Sequence, residues 1–387
     1  MKTVNVGIIG TKFMGKAHSN AWRSVDKFFD VGLKPVLKVA CGRDPEGTRA
    51  FANTWGWEEV ETDWHKVVTR KDIDIIDICT PTFLHKDIFI AAAENGKQIF
   101  CEKPAALNFA EAKEMYEAAE KAGILHYLNH NYRRTPAIAF AKQMIDEGKI
   151  GEIYHWRGAY LQDWIMDPEF PLTWHLQQQF AGAGPHYDLN SHSVDLARFL
   201  VGEVASVSAM LKTIFKERPL PGEGAGTFKT GEKGTSKGQV TVDDAAFMVA
   251  EFENGALGSF EASRFAGGRK NYNMFEIYGS KGSLAFDLER MNELQYLNLE
   301  DPADEQGFRT ILVTNATHPY IAAWWPPGHI IGYEHEFMHA VYDFLNALET
   351  GASISPNLYD GMKIMQVLEA AIRSSETGRQ IKVSEIK

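Results

Sequence analysis

The run GIIGTKFMGKAH, residues 7–18, follows the apolar stretch Val4–Ile9 and spaces Gly10 and Gly15 as the first and third glycines of a G-x-G-x-x-G turn. In such a strand-to-helix turn the first glycine makes the bend. The second admits the pyrophosphate close to the backbone, and the third lets helix and strand pack tightly. Lys12 stands in the second place, where its ammonium can reach a phosphate held over the helix N-terminus. The stretch therefore reads as a dinucleotide turn in which a charge replaces close backbone approach. The competing reading is a surface lysine in an ordinary strand-to-helix turn.

Outward from this turn, apolar runs at Val4–Ile9, Pro35–Cys41, Ile73–Cys79, Gln98–Cys101 and Ile124–Leu128 alternate with helical patterns such as Phe83–Asn95 and Phe109–Ala122. Near-continuous apolar strands separated by helices predict an α/β domain, a doubly wound parallel sheet covered on both faces. Beyond Arg134 the rhythm changes. A helix over Pro136–Glu147 precedes an alternating strand over Ile153–Trp164, a helix over His186–Leu200, several strands between Val204 and Leu297, and helices near Glu334–Leu348 and Tyr359–Thr377. Strands following strands predict an α+β domain with a large mixed or antiparallel sheet. The expected division is a nucleotide domain over 1–131 and a substrate and oligomerisation domain over 132–387. Pro219–Gly238, rich in Gly, Lys and Thr, reads as a loop.

The chain has 387 residues, 44% of them hydrophobic and 24% charged, with a formal net charge of -11. Length predicts two domains, and the acidic, well-mixed charge argues against nucleic acid or an anionic membrane as a partner. The three cysteines, Cys41, Cys79 and Cys101, each end an apolar run, which predicts reduced thiols in a cytoplasmic protein rather than a disulfide framework. The N-terminus enters the first strand at once, leaving no room for a signal peptide. No apolar run has the length of a membrane span.

Two further motifs end strands of the first half: Cys79-Thr-Pro-Thr-Phe-Leu-His85 and Phe100-Cys-Glu-Lys-Pro104. Carboxyl ends of parallel strands are where open α/β sheets bind ligands. With the glycine turn, and with NHNYRRTPAIAFAKQMIDEGKIG (129–151), RGAYLQDW (157–164) and HYDLNSHSVDLARFLVGE (186–203), these motifs resemble the Gfo/Idh/MocA oxidoreductases, the glucose-fructose oxidoreductase and inositol dehydrogenase family. The likeness is strongest to its levoglucosan dehydrogenase-like branch and covers about residues 4–385. It implies a Rossmann domain binding NAD(P), oxidation of a secondary ring hydroxyl of a sugar, anhydrosugar or cyclitol, and a homo-oligomer, dimer or tetramer.

Alcohol oxidation needs a base for the hydroxyl proton, a donor to the developing alkoxide, and a held cofactor. The resemblance assigns catalysis to Lys103, Asp188 and His192. Asp188 and His192 lie four apart in a helical pattern, on one face, and a histidine titrates near neutral pH. A helix-capping aspartate with a buried histidine is the plainer alternative. Where the family often has glycine two residues after this aspartate, Asn190 stands here. The expected cofactor contacts are Gly10, Thr11, Lys12, Phe13, Met14, Gly15, Gly42, Arg43, Thr80, Pro81, His85, Glu102 and Lys103. At the end of the second strand Gly42 replaces the acidic residue that favours NAD, and Arg43 follows, which leans the expectation toward NADP; Asp44 keeps NAD open.

For substrate the candidates are Tyr132, Arg133, Gln162, Trp164, His186 and His192. Alternation from Tyr154 through Trp156, Gly158, Tyr160, Gln162 and Trp164 puts an aromatic stripe on one face of a strand, either a sugar platform or a subunit interface. His335-Glu-Phe-Met-His339 matches the H-E-x-x-H zinc pattern, but no third ligand follows at a recognisable spacing, and no metal is expected. Two alternatives remain open: an oxidoreductase that never releases its cofactor, and a non-catalytic sugar or nucleotide sensor.

Overall fold

In the computed structural model, which describes residues 2–222 and 233–387, the chain forms two compact units. One comprises 1–106, 110–135 and 320–363, the other 107–109, 136–319 and 364–387.

The first unit carries strands β1 (Lys2–Ile9), β2 (Leu33–Cys41), β3 (Glu59–Glu61), β4 (Ile75–Ile78), β5 (Gln98–Glu102) and β6 (His126–Asn129). All pair parallel, in the order β3-β2-β1-β4-β5-β6. The order reverses between β1 and β4, the switch point at which such sheets open a crevice at their carboxyl ends. Helices α1 (Phe13–Phe28), α2 (Pro45–Trp55), α3 (Trp64–Val68), α4 (His85–Glu94) and α5 (Phe109–Ala122) make the crossovers. Central parallel strands are covered on both faces, and all four residues of β4, Ile-Ile-Asp-Ile, are buried. That burial takes Asp77 out of water, with consequences described below. The short edge strand β3 was not expected from the sequence.

The second unit begins with α6 (Pro136–Asp146) and β7 (Ile153–Leu161), then α7 (Gln178–Ala181), α8 (Pro185–Asp188) and α9 (Asn190–Leu200). Strands β8 (Val204–Lys212), β9 (Glu217–Pro221), β10 (Lys233–Gln239), β11 (Ala245–Phe252), β12 (Leu257–Ser263), β13 (Tyr272–Gly279), β14 (Gly282–Asp287), β15 (Glu293–Asn298) and β16 (Arg309–Leu312) follow. With β17 (Ile381–Lys382), nine of them make one sheet, β16-β15-β14-β13-β7-β12-β11-β8-β17. Only β7 and β12 pair parallel, so the sheet is mixed. β9 and β10 pair separately. The loop expected over Pro219–Gly238 thus starts and ends in strands, and residues 223–232 lie outside the described residues.

Two other expectations change here. The helix expected over His186–Leu200 is broken at Leu189 into α8 and α9, so Asp188 and His192 do not share one continuous helix. The stripe on β7 is mostly core: Trp156 stacks on Phe275 with ring centres 5.4 Å apart, and Tyr160 is buried. Tyr154, near a register shift in the ladder to β13, is exposed instead. Neither a sugar platform nor a subunit surface can be built from buried Trp156.

The chain then returns to the first unit with α10 (Tyr333–Thr350) and the start of α11 (Leu358–Thr377). Phe337, Val341, Phe344 and Leu345 of α10 join the core formed by Trp22, Val25 and Phe100. Phe344 meets Trp22 and Phe100 edge-on at 6.2 and 5.5 Å. Among the described residues no helix is long and apolar enough to cross a membrane. Phe344→Ala leaves a cavity in this aromatic cluster and is expected to lower unfolding free energy by about 3–5 kcal/mol in a denaturant titration; a loss under about 1 kcal/mol would show that α10 is not part of this core.

Candidate active site

In the first unit the glycine turn is sterically required. Gly10 has φ 114°, and a Cβ there would run into the carbonyl of Cys79; a Cβ on Gly15 would strike the carbonyl of Gly10. Lys12 stands, exposed, at the position before the first turn of α1, its side chain makes no capping bond, and that first turn holds no acidic residue. The positive end of the helix dipole is therefore left for an anion. Thr11 packs under Gly42 at the end of β2, Phe13 is half-exposed, Met14 is partly buried, and Arg43 is exposed beside the turn. At the end of β4 the Thr80 hydroxyl is buried without a hydrogen-bond partner among the described residues, and Pro81 follows it. A strained glycine bend, an acid-free helix terminus and an orphaned hydroxyl fit an anionic dinucleotide.

Under this turn lies a buried ionic cluster. His18 on α1 places Nδ1 2.9 Å from Asp77 Oδ1 and Nε2 2.8 Å from Glu102 Oε1. Trp22 Nε1 donates to Asp77 at 2.7 Å, and Asn129 Nδ2 donates to Glu102 at 2.7 Å. Burial, the largest single influence, lowers the pKa of His18, but Asp77 and Cys79, through charge and hydrogen bonds taken together, outweigh it and hold His18 well above its ordinary value. Burial pushes Glu102 up, and the bond and charge of His18, with the charge of Lys103 and the bond from Asn129, together reverse this and leave it below the usual range. His18, Asp77 and Cys79 also have the donor types and spacing of a metal site. With both imidazole nitrogens bound to carboxylates and the Cys79 thiol pushed up by burial, the set is an imidazolium bridge instead.

Glu102 therefore faces inward, and its second oxygen accepts the main-chain N–H of Lys103 at 3.2 Å. Its expected cofactor contact becomes a hold on the Lys103 backbone. His85 is buried with Nδ1 3.0 Å from the Pro104 carbonyl and Nε2 2.9 Å from the Thr80 carbonyl. Burial keeps the ring neutral, so one of its nitrogens donates to a carbonyl and the ring sits between the β4 and β5 loops.

Tyr132 and Arg133 also turn inward. Arg133 donates to Ser355 at 2.8 Å and faces Asp360 at 3.5 Å, which holds it within the first unit, and Tyr132 is buried. His335, Glu336 and His339 are likewise spent on packing. Glu336 accepts from Asn131 at 2.8 Å and from the Thr135 hydroxyl, and burial pushes its pKa up to about 8. His339 accepts from Trp324 at 2.8 Å, lies 2.8 Å from the Arg134 carbonyl, and is pushed down by burial to about 3. The zinc-like spacing pins the turn that follows β6.

In the second unit Asp243 caps α8, accepting from the N–H groups of Gly184 at 2.7 Å and His186 at 2.9 Å. At the far end of α8, Asp188 accepts from Arg264 Nη2 at 2.6 Å. The Arg264 guanidinium is buried under the face of Trp164, 5.1 Å from the ring centre. Trp164 donates to Gln162 at 2.7 Å, and Gln162 and the Tyr160 hydroxyl both donate to Asn271. The Tyr160 ring meets that of His192 at 5.7 Å. Gln162, Trp164, Asp188 and His192 thus belong to one polar layer. His186 leaves the substrate candidates: it is fully buried, with Nε2 bound to the Leu368 carbonyl at 2.8 Å. Arg264 was missed because an arginine at a strand end ordinarily reads as solvated; the only available signal was the lack of a counter-charge for Asp188.

Comparison with known proteins gives a consistent result. Residues 4–130 match the oxidoreductase family with an NAD-binding Rossmann fold, and 138–285 match the GFO/IDH/MocA C-terminal domain. The levoglucosan dehydrogenase of Pseudarthrobacter phenanthrenivorans is 44% identical over 391 residues, covering 100% of both chains. The chain belongs to the Gfo/Idh/MocA oxidoreductase family. Other members include the NAD(+)-dependent scyllo-inositol 2-dehydrogenase of Bacillus subtilis, 33% identical over 65% of this chain and 66% of that one. A levoglucosan dehydrogenase solved with NADH and levoglucosan superposes with TM-score 0.93 at 43% identity, covering 99% of this chain and 100% of that one. An oxidoreductase domain protein from Kribbella flavida superposes with TM-score 0.94 at 48% identity, with 99% and 100% covered. As a member of this family the chain is an NAD(P)-dependent dehydrogenase, with the NAD-binding Rossmann fold matched over residues 4–130.

The imidazolium bridge makes stability depend on pH. Because the folded pKa of His18 is raised, its contribution is complete below the unfolded value of 6.5 and is lost as pH rises through the folded value. Denaturant midpoints are expected to fall on the alkaline side, over the range where an NMR titration shows His18 losing its proton; a flat midpoint across that range would contradict the bridge.

Proposed function

We propose that this enzyme oxidises a secondary ring hydroxyl of an anhydrosugar of the levoglucosan type, or of a closely related sugar or cyclitol, to a ketone, with NAD as acceptor. The observation that carries the reading is the end-to-end likeness, at 44% identity, to a levoglucosan dehydrogenase, in a chain that carries Lys103, Asp188 and His192. NAD is favoured because levoglucosan dehydrogenase structures 43% identical to this chain hold NADH; Arg43, exposed after β2, is the feature that favours NADP.

Bound NAD would supply the hydride acceptor, held by the Gly10–Gly15 turn, the α1 terminus and Thr80. His192 takes the hydroxyl proton as general base. Lys103 donates a hydrogen bond to the reacting oxygen and steadies the charge that develops there. Asp188, fixed by Arg264, orients His192 or a neighbouring hydroxyl. Gln162 and Trp164 meet the sugar, the indole against its C–H face and the amide toward a hydroxyl.

The sheet of the second unit also offers a surface for self-association. Met210, Phe247, Val249 and Leu257, on the adjacent strands β8, β11 and β12, are all more than half exposed, at 71, 52, 59 and 61%. We assign this apolar patch to the contact between copies of the chain, as patches of this kind mark interfaces.

With NAD and a panel of levoglucosan, inositols and common sugars, reduced nicotinamide is expected to accumulate with levoglucosan or a near relative, and less with NADP. Silence across the panel with nucleotide still bound would favour the sensor, and nicotinamide nucleotide released only on denaturation would favour a cofactor that never leaves. His192→Ala is expected to lower kcat about a hundredfold or more; near-normal kcat would remove His192 from catalysis. Val249→Glu is expected to reduce the mass seen by analytical ultracentrifugation to that of one chain, and an unchanged oligomer would place the interface elsewhere.

A further inference from the structure

The cluster around His18 joins four segments of the first unit: α1 through His18, β4 through Asp77, β5 through Glu102 and β6 through Asn129. Rings of Phe100 and Phe337 enclose it, at 5.3 and 5.4 Å from the imidazole, and Cys79 Sγ lies 3.2 Å from Nδ1. We propose that His18 is a positioning residue for the reaction: by bridging Asp77 to Glu102 it fixes the main chain at Lys103, and with it the point from which the Lys103 side chain works. This rests on the catalytic role of Lys103 proposed above.

The geometry gives the reason. One oxygen of Glu102 is held twice, by His18 Nε2 at 2.8 Å and Asn129 Nδ2 at 2.7 Å. With that oxygen fixed, the carboxylate cannot rotate, and its other oxygen stays aimed at the Lys103 N–H, 3.2 Å away. The bridge demands a cation with two opposed donors, because both imidazole nitrogens face carboxylates. A neutral imidazole has one N–H and a glutamine offers donors from one nitrogen only, so neither spans the pair. Asp77 and Glu102 are both buried, so without His18 they lose the cation that lies between them, and Glu102 loses the constraint that aims it.

His18→Gln tests this against a role in packing alone. Displacing a catalytic group by about 1 Å can cost about a hundredfold in rate. Turnover per folded, nucleotide-binding chain is therefore expected to fall at least about tenfold, while the dissociation constant for NAD changes by less than about threefold. Glu102→Gln should give a similar loss, and the double variant should lose little more, since the two act through one contact. An independent readout needs no substrate: the Lys103 amide should exchange hydrogen about tenfold faster or more in His18→Gln, beyond any change in amides of the β1 core. Should the single variant fold poorly, His18→Gln with Asp77→Asn removes the excess buried charge and carries the same measurements. Turnover within about twofold of the parent, additive losses, or unchanged Lys103 exchange would each overturn the proposal. Faster exchange in a protein whose parent oxidises no polyol would leave the positioning role standing and reject the proposed function instead.

Discussion

A protonated imidazole held between two buried carboxylates is the constraint on which the first unit depends. Asp77 is buried because β4 is a central strand of a parallel sheet, covered on both faces, and a buried carboxylate without a partner is costly. His18, one helical turn past Gly15, meets it. That placement follows from the glycines, because only a side-chain-free bend lets α1 start so close to the end of β4. One sequence feature thus both opens the helix N-terminus to an anion and brings the histidine against the sheet. Removing one member of such a buried pair typically costs about 3–5 kcal/mol, so its charges are tied to the integrity of the unit as well as to its chemistry.

In the second unit a buried cation directs a carboxylate that is itself partly exposed. Asp188 sits at the end of a four-residue helix, started by Asp243, and its carboxylate is directed by buried Arg264. Trp164 covers the guanidinium, and a line of amide and phenol hydrogen bonds runs from Trp164 through Gln162 to Asn271. In each unit, then, a group assigned to the chemistry is aimed by a buried cation and a carboxylate. Preorganisation of this kind is what lets hydrogen bonds act on a developing charge without first rearranging.

Much of the frame was legible in the sequence. Apolar runs located five of the six parallel strands because central strands are buried on both faces; β3, Glu-Val-Glu at the sheet edge, is too short and polar to leave such a signal. The break at Leu189 was hidden because the apolar spacing continues through it. Membership of α10 in the first unit had no local sign either, since its partners Trp22 and Phe100 lie far away in sequence. Among site residues, Gly10 and Gly15 declared themselves through backbone geometry that only glycine tolerates. His85, Glu102, Arg133 and His186 were placed by type and neighbourhood, and each proved to be turned inward, because polarity in sequence does not tell a ligand contact from a buried bond. The H-E-x-x-H match shows the same limit: its spacing is real, and its atoms are occupied by Asn131, Thr135, Trp324 and the Arg134 carbonyl.

In the proposed reaction Lys103 and His192 act on one hydroxyl. A crystal structure of the enzyme with NADH and levoglucosan measures this directly. One ring hydroxyl should lie within hydrogen-bond distance, about 2.6–3.2 Å, of both Lys103 Nζ and a ring nitrogen of His192, with Asp188 still bound to Arg264. A sugar that meets only one of the two, or that binds away from both, would contradict it.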